Sequence, residues 1–189
     1  MNRCFWGNIS PMMLDYHDNE WGRPIKDDLK LFQKLMLDCQ QAGLSWAIIL
    51  NKRENFLKAF DNFDPTIVSK YDNAKVEELM NNPGIVRNRL KIKAMIINSK
   101  MYLEHFSTPG SFTNFLWQHV NHKPINSNLL PGSRIPATSS ISDEISLKLK
   151  KLGFKFVGST IIYAFLQAVG IYNDHYRDCF CHPEILKTE

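Results

Sequence analysis

The sequence predicts an all-α protein, and three observations carry that expectation. Apolar residues recur at steps of three and four through most of the chain. Cap residues and prolines stand where such stretches begin, and glycine or Pro-Gly stands where several end. No run alternates apolar and polar residues as a half-buried strand would, and there is no internal repeat or low-complexity tract.

Taken in order, Leu31, Phe32, Leu35, Met36 and Cys39 mark one face of a helix that Asp27 or Asp28 is placed to cap. Gly43 interrupts, and Ser45 stands ready to cap a second helix running to about Phe60. Asp64-Pro65 reads as a cap followed by a proline in the first turn. Val76, Leu79 and Met80 give a short amphipathic helix that stops at Asn82-Pro83-Gly84. A long helix follows, with Ile92, Met95, Ile96, Tyr102 and Leu103 on its apolar side. Ser111 opens another, carrying Phe112, Phe115 and Leu116. Between Asn121 and Ser140 the composition shifts to Asn, Pro, Ser and Gly; loops of about twenty residues in compact domains are functional or mobile. Helices are expected to resume from Ser142 to the end, with the apolar run Phe154 to Ile171 as a buried core helix.

The totals narrow the class. A chain of 189 residues makes a single domain, and 44% apolar residues is enough for a packed core, which excludes disorder as the main state. The net charge of +4 permits nucleic-acid binding without requiring it. Lys155, Gln167, Gly158 and Gly170 interrupt the longest apolar run, so no membrane span is expected. The start, Met1 to Trp6, has no apolar signal core, and the expected location is cytoplasmic. For Cys4, Cys39, Cys179 and Cys181, metal binding or simple burial is then the expectation rather than disulfides.

His175 and Cys179 are four residues apart, which on a helix puts both on one face and within reach of one ion. Cys4 and His17 are the best candidates to complete a tetrahedral set that joins the two chain ends; Cys181, His182, His119 and His122 are rivals. A catalytic zinc would instead keep an open position and need a base, for which Asp174 or Asp178 would serve.

The stretch Tyr16-His17-Asp18-Asn19-Glu20-Trp21-Gly22 is dense in aromatic and polar groups, as is Gln40-Gln41-Ala42-Gly43-Leu44-Ser45-Trp46. Flat rings at Trp6, Tyr16, Trp21 and Trp46 suit stacking on a nucleobase, and carboxylates at Asp38 and Glu20 suit reading its edge; the alternative is core filler. Leu44, beside Gly43, is either an exposed wedge for a DNA gap or a leucine tucked inward. Pro83-Gly84 between helices, with Arg87, Arg89, Lys91 and Lys93 after it, resembles a helix-hairpin-helix element whose backbone N–H groups grip a phosphate.

With these pieces in place, the chain resembles the bacterial 3-methyladenine DNA glycosylase I family of the helix-hairpin-helix superfamily along essentially its whole length. Arg3-Cys4, the two aromatic stretches above, Lys52-Arg53-Glu54, Asn82 to Arg89, Gly153 to Gly158 and Asn173-Asp174-His175 carry the likeness. The resemblance implies one domain over residues 1–189, with the helix-hairpin-helix element at about 74–105. It implies a structural zinc on Cys4, His17, His175 and Cys179, not needed for chemistry. It implies a base pocket of Trp6, Tyr16, Trp21, Asp38 and Trp46, in which Asp38 and Tyr16 are the candidate catalytic residues. It implies DNA contacts from Gly43, Leu44, Pro83, Gly84 and Arg87. The implied reaction is hydrolysis of the 3-methyladenine N-glycosidic bond in alkylated double-stranded DNA, giving free 3-methyladenine, by a monomer without membrane attachment. No lysine stands out as a Schiff-base nucleophile, so lyase activity is not expected.

Two positions depart from the family pattern: Asp38 where a Glu is usual, and Met13 where a Tyr is frequent. The shorter Asp38 would reach a base through water or a backbone shift. Asp143 follows Pro131-Gly132 and a Ser-rich stretch, where many helix-hairpin-helix glycosylases carry a cation-stabilising Asp, although the resembled family is thought to work without one. The competing classes are a non-catalytic, zinc-stapled DNA-binding module and a zinc hydrolase.

Overall fold

The computed structural model describes residues 2–182. Its helices are α1 Pro11–Asn19, α2 Asp28–Gln41, α3 Trp46–Asn51, α4 Arg53–Ala59, α5 Pro65–Val68, α6 Asn73–Asn81, α7 Arg89–His105, α8 Ser111–Trp117, α9 Ser140–Lys151 and α10 Ser159–Ala168. Three 3₁₀ turns and two strands, β1 Ile125–Asn126 and β2 Tyr172–Asn173, complete the described residues.

Side-chain caps explain most of the helix starts, because the first N–H groups of a helix have no partner within it. Asp27 accepts from Lys30 N at 2.8 Å, Asp72 from Lys75 N at 2.9 Å, and Asp64 from Thr66 N at 2.8 Å. Asn88 opens α7 by accepting from both Leu90 N and Lys91 N. Ser139 and Ser142 form a reciprocal box at the start of α9. Asp28 works across elements: its carboxylate accepts from Gly110 N and Thr113 N, both at 2.7 Å, and so fixes α8 against α2.

The core is built where α2 and α10 meet. Leu31, Phe32, Leu35, Met36 and Cys39 from α2 are fully buried, as are Ile162, Phe165 and Leu166 from α10. Phe112, Leu116 and Trp117 from α8 and Ile92 and Met95 from α7 close round them. Two satellite clusters flank this core, one around Met13, Tyr16 and Trp21, the other around Cys4, Tyr176 and Cys179.

Several boundaries differ from the sequence expectation. The 45–60 helix is two helices, broken at Lys52, and the side chain of Ser45 makes no cap bond. Gly110 rather than Ser111 is the N-cap of α8. Helix α1 was not anticipated, although Ser10-Pro11 signals it: Ser10 Oγ accepts from Met13 N and Pro11 fills the first turn. The long loop carries β1, which pairs in parallel with β2, with Ile125 opposite Tyr172 and Asn126 opposite Asn173. Among the described residues the last helix ends at Ala168, so His175 and Cys179 lie in the irregular segment after β2 rather than on a helix face; the expected helix beyond 182 lies outside the described residues. The two side chains still meet, with Cys179 Sγ 3.5 Å from His175 Nδ1.

Candidate active site

Three helices each contribute a pair of residues three apart to one cavity of about 270 Å³: Met13 and Tyr16 from α1, Asp38 and Gln41 from α2, Ala164 and Gln167 from α10. Spacing of three keeps both members of a pair on one helix face. Trp6, Trp21 and Trp46 add rings, and Ile135 reaches in from the long loop. The rings meet mostly by edges and tilts: Trp6 and Trp21 at 4.8 Å and 79°, Tyr16 and Trp46 at 5.3 Å and 43°. Such packing holds the walls rigid without stacking the rings face to face.

The polar groups of this cavity are few. Asp38 is 1% exposed, and Lys34, one turn earlier on α2, donates to both its oxygens at 2.7 Å. The same ammonium lies 4.0 Å from the Trp46 ring centroid. Burial pushes the Asp38 carboxyl up and the Lys34 amine down, and their attraction opposes both shifts. Burial, with Asp38 nearby, also holds the Tyr16 hydroxyl well above its ordinary range, so it stays neutral. Gln167 Nε2 donates to Asp174 Oδ2 at 2.6 Å. Because a carboxylate only accepts, this fixes the amide's orientation and leaves Oε1 as the atom Gln167 offers elsewhere. Trp46 Nε1 is buried without a hydrogen-bond partner. Glu20, expected beside Asp38, does not line the cavity; Arg53 binds both its oxygens at 2.8 and 2.7 Å.

Behind the aromatic wall stands a buried Cys-His cluster. The ligand atoms of Cys4, His17, His175 and Cys179 all lie within 4.8 Å of one another. Cys179 Sγ is 3.5 Å from both His17 Nε2 and His175 Nδ1, and Cys4 Sγ is 3.6 Å from His175 Nδ1. The outer ring atoms are also held. His17 Nδ1 contacts Asp18 Oδ1 at 2.7 Å, with Asp18 in turn bound by Arg3, and His175 Nε2 faces Trp21 O at 3.1 Å. Gly22 sits at φ +77°, where a Cβ would come within 3.0 Å of His175 Nε2, so only glycine lets the chain pass there. The cluster also props the pocket: Trp6 meets the His17 ring at 5.1 Å, and Trp21 meets His175 at 4.6 Å, both edge-on.

Of the rival ligands, Cys181 forms a second grouping with His17 and Asp18, while His119 lies 3.5 Å from Glu144. Asp174 accepts from Ser127, Tyr163 and Gln167, which makes it a structural anchor rather than a free base. Asp178 accepts from Asn2 at the surface. Asp143 is exposed in the first turn of α9 and does not line the cavity.

In the turn between α2 and α3, Gly43 is exposed at φ +75°, and Leu44 is half-buried and packed on the main core. Lys91, 5% exposed, donates to the carbonyls of Gln40 and Ala42 at 2.7 Å each and so pins this turn to the start of α7. In the segment between α6 and α7, Pro83 and Arg87 are exposed. Gly84 N–H is engaged by Asn82 Oδ1 at 2.8 Å, which removes one of the donors expected for phosphate. Lys52 Nζ ties the Pro83 and Gly84 carbonyls from outside at 3.0 and 3.2 Å.

Gln41, within the second aromatic and polar stretch, does line the cavity, whereas Lys34, Ile135, Ala164 and Gln167 escaped the sequence reading. Two had a signal: Lys34 precedes Asp38 by one helical turn, and Gln167 is a polar residue inside an apolar helix.

Fold and site together define a mostly helical protein with a cavity walled by aromatic rings. The methyladenine glycosylase family model matches residues 6–182, and the chain belongs to that family. DNA-3-methyladenine glycosylase 1 of Escherichia coli is 46% identical over 183 residues, which are 97% of this chain and 98% of that protein. DNA-3-methyladenine glycosylase of Haemophilus influenzae is 42% identical over 179 residues, covering 95% and 97%. A crystal structure of 3-methyladenine DNA glycosylase I superposes with a TM-score of 0.93 at 44% identity, over 96% of this chain and 100% of that one. The Staphylococcus aureus enzyme, solved for 3-methyladenine recognition, gives 0.91 at 38% identity, over 97% of each chain.

Proposed function

We propose that this chain is a monofunctional DNA glycosylase that hydrolyses the N-glycosidic bond of 3-methyladenine in alkylated double-stranded DNA. It would act as a single-domain monomer in the cytoplasm. The observation that carries this reading is the cavity walled by Trp6, Tyr16, Trp21 and Trp46 with the buried Asp38 carboxyl among its lining groups; the likeness to 3-methyladenine glycosylases supports it.

Methylation at N3 leaves the purine positively charged, so the glycosidic electron pair neutralises the ring as the base departs. Water adds to the sugar carbon and loses a proton to solvent. No strong acid is needed at the leaving group; what is needed is extraction, positioning and a path for water. The aromatic walls hold the base, Asp38 accepts a hydrogen bond from its amino group, and Gln167 Oε1 is a second acceptor of the same polarity. Tyr16 keeps its ring against the base and its hydroxyl neutral. Lys34 is held on Asp38 and Trp46, which supports a reaction without a Schiff base.

The helices α6 and α7 with the turn between them make up the helix-hairpin-helix element, at about residues 74–105. Pro83, Gly84 and exposed Arg87 would grip the DNA backbone. Leu44, presented by Gly43 and pinned through Lys91, would fill the gap left by the extruded base.

The Cys-His cluster fits one zinc ion. Zinc bonds of about 2.3 Å to sulfur and about 2.0 Å to nitrogen at tetrahedral angles give S···N edges of about 3.5 Å, and the observed edges are 3.5 and 3.6 Å. Asp18 and the Trp21 carbonyl orient the two imidazoles as outer partners of a metal site do. When bound, the ion would join the two chain ends; four protein ligands leave no open position for water, which argues against a zinc hydrolase.

The test is release of 3-methyladenine from alkylated DNA by wild type and by Asp38→Asn. A hydrogen bond to a charged group is worth about 1.5–3 kcal/mol, so excision should fall about ten- to a hundredfold. Since that change strands Lys34, a Lys34→Met/Asp38→Asn protein serves as the folding control. Near-wild-type release by a folded variant would rule out the carboxylate's role.

A further inference from the structure

The ion pair between Lys34 and the pocket-lining Asp38 has a consequence for which bases the pocket takes. Lys34 does not line the cavity, yet its ammonium binds both oxygens of the one carboxylate that does. A second pair, Arg53 with Glu20, lies close enough to act on both Tyr16 and Lys34. The charges beside the pocket are therefore two positive and two negative before any ligand enters. Trp46 already carries a cation 4.0 Å from its ring centroid, so part of the attraction its π-face would offer to a charged base is opposed by a like charge. Asp38 keeps lone pairs for hydrogen bonding, because each carboxylate oxygen accepts more than one bond. What it lacks is an unbalanced negative charge.

We propose that Lys34 is a specificity-determining residue: by neutralising Asp38 and lying against Trp46, it suppresses selection for positive charge, and the pocket admits neutral alkylated purines alongside cationic ones. Discrimination then falls to ring shape and to the acceptors Asp38 and Gln167, which favour an amino edge over a carbonyl edge. Without Lys34, the buried carboxylate would face the base alone, and charge would dominate. This inference rests on the base-pocket reading above.

The experiment is a fluorescence or calorimetric titration of the zinc-loaded protein, at about pH 8, with two free bases: neutral 3-methyladenine and the permanently cationic 3,9-dimethyladeninium. The quantity read is the ratio of the two dissociation constants. Lys34→Met should shift that ratio toward the cation by about tenfold or more. Lys34→Arg, which keeps the charge, should leave it within about threefold of wild type, and so should the neutral Lys34→Met/Asp38→Asn pair. The double variant also covers the case in which Lys34→Met folds poorly. An unmoved ratio in Lys34→Met, or a double variant that favours the cation as strongly as the single one, overturns the role of Lys34 while leaving the pocket intact. If neither base binds to wild type, the base-pocket reading itself fails, and this inference with it.

Discussion

The Cys-His cluster and the aromatic pocket share a wall yet use their polar groups in opposite ways. In the cluster, the four ligand atoms face one another, and each imidazole's remaining nitrogen has a partner in Asp18 or the Trp21 carbonyl. In the pocket, Trp46 Nε1 has no partner and Asp38 retains accepting capacity beyond Lys34. The first arrangement closes on itself and holds chain ends more than 160 residues apart, as the Cys179 to His17 contact shows. The second leaves polar capacity unused. Satisfied polar groups stabilise, whereas unsatisfied ones cost stability and are kept where a ligand completes them. The contact between the two is the pair Trp6 and Trp21, whose edges rest on His17 and His175.

Loss of the cluster should have the largest effect. Cys179→Ser or chelation is expected to lower unfolding free energy by more than about 3 kcal/mol, read as a fall in urea midpoint together with loss of one zinc per chain. A variant that stays equally stable would break the comparison by making the cluster dispensable. Lys91→Met comes next. It frees the Gln40 and Ala42 carbonyls, loosens the turn carrying Leu44, and should weaken binding of abasic-site DNA about tenfold. Binding of free 3-methyladenine should fall less, since Gln41 is the one pocket-lining residue flanked by the freed carbonyls. Equal losses for DNA and free base would mean that Lys91 supports the pocket rather than the turn. The smallest effect belongs to Asp64, distant in sequence from both regions. Its carboxyl is held below the ordinary range by the Thr66 hydroxyl and backbone. A depressed carboxylate stabilises above its unfolded pKa, and that contribution is lost as pH falls through the folded value. Asp64→Ala should cost about 1 kcal/mol at neutral pH, less at pH 3, and leave excision unchanged.

Much of this was legible in the chain. The face of α2 and the Asp27 and Asp64 caps follow from local spacing, and local spacing survives folding. The pocket rings and Asp38 were legible because aromatic and acidic residues crowd two short segments. The parts that were not legible depend on distant partners. Strands of two residues show no alternation, so β1 and β2 exist only through each other. His175 and Cys179 meet in an irregular segment, so the pair comes together without the helical face that the spacing argument assumed. Glu20 had the right chemistry for the pocket but was drawn away by Arg53. Ile135 and Ala164 carry no chemical signal at all; only the packing of the long loop and α10 brings them to the cavity.

The pocket's role is tested most directly by incubating wild-type protein with methylated duplex DNA and chromatographing the soluble bases. Release of 3-methyladenine, with strands left uncut until alkali is added, is the predicted result. Retained DNA binding with no base release would contradict it and leave a zinc-stapled binding module in its place.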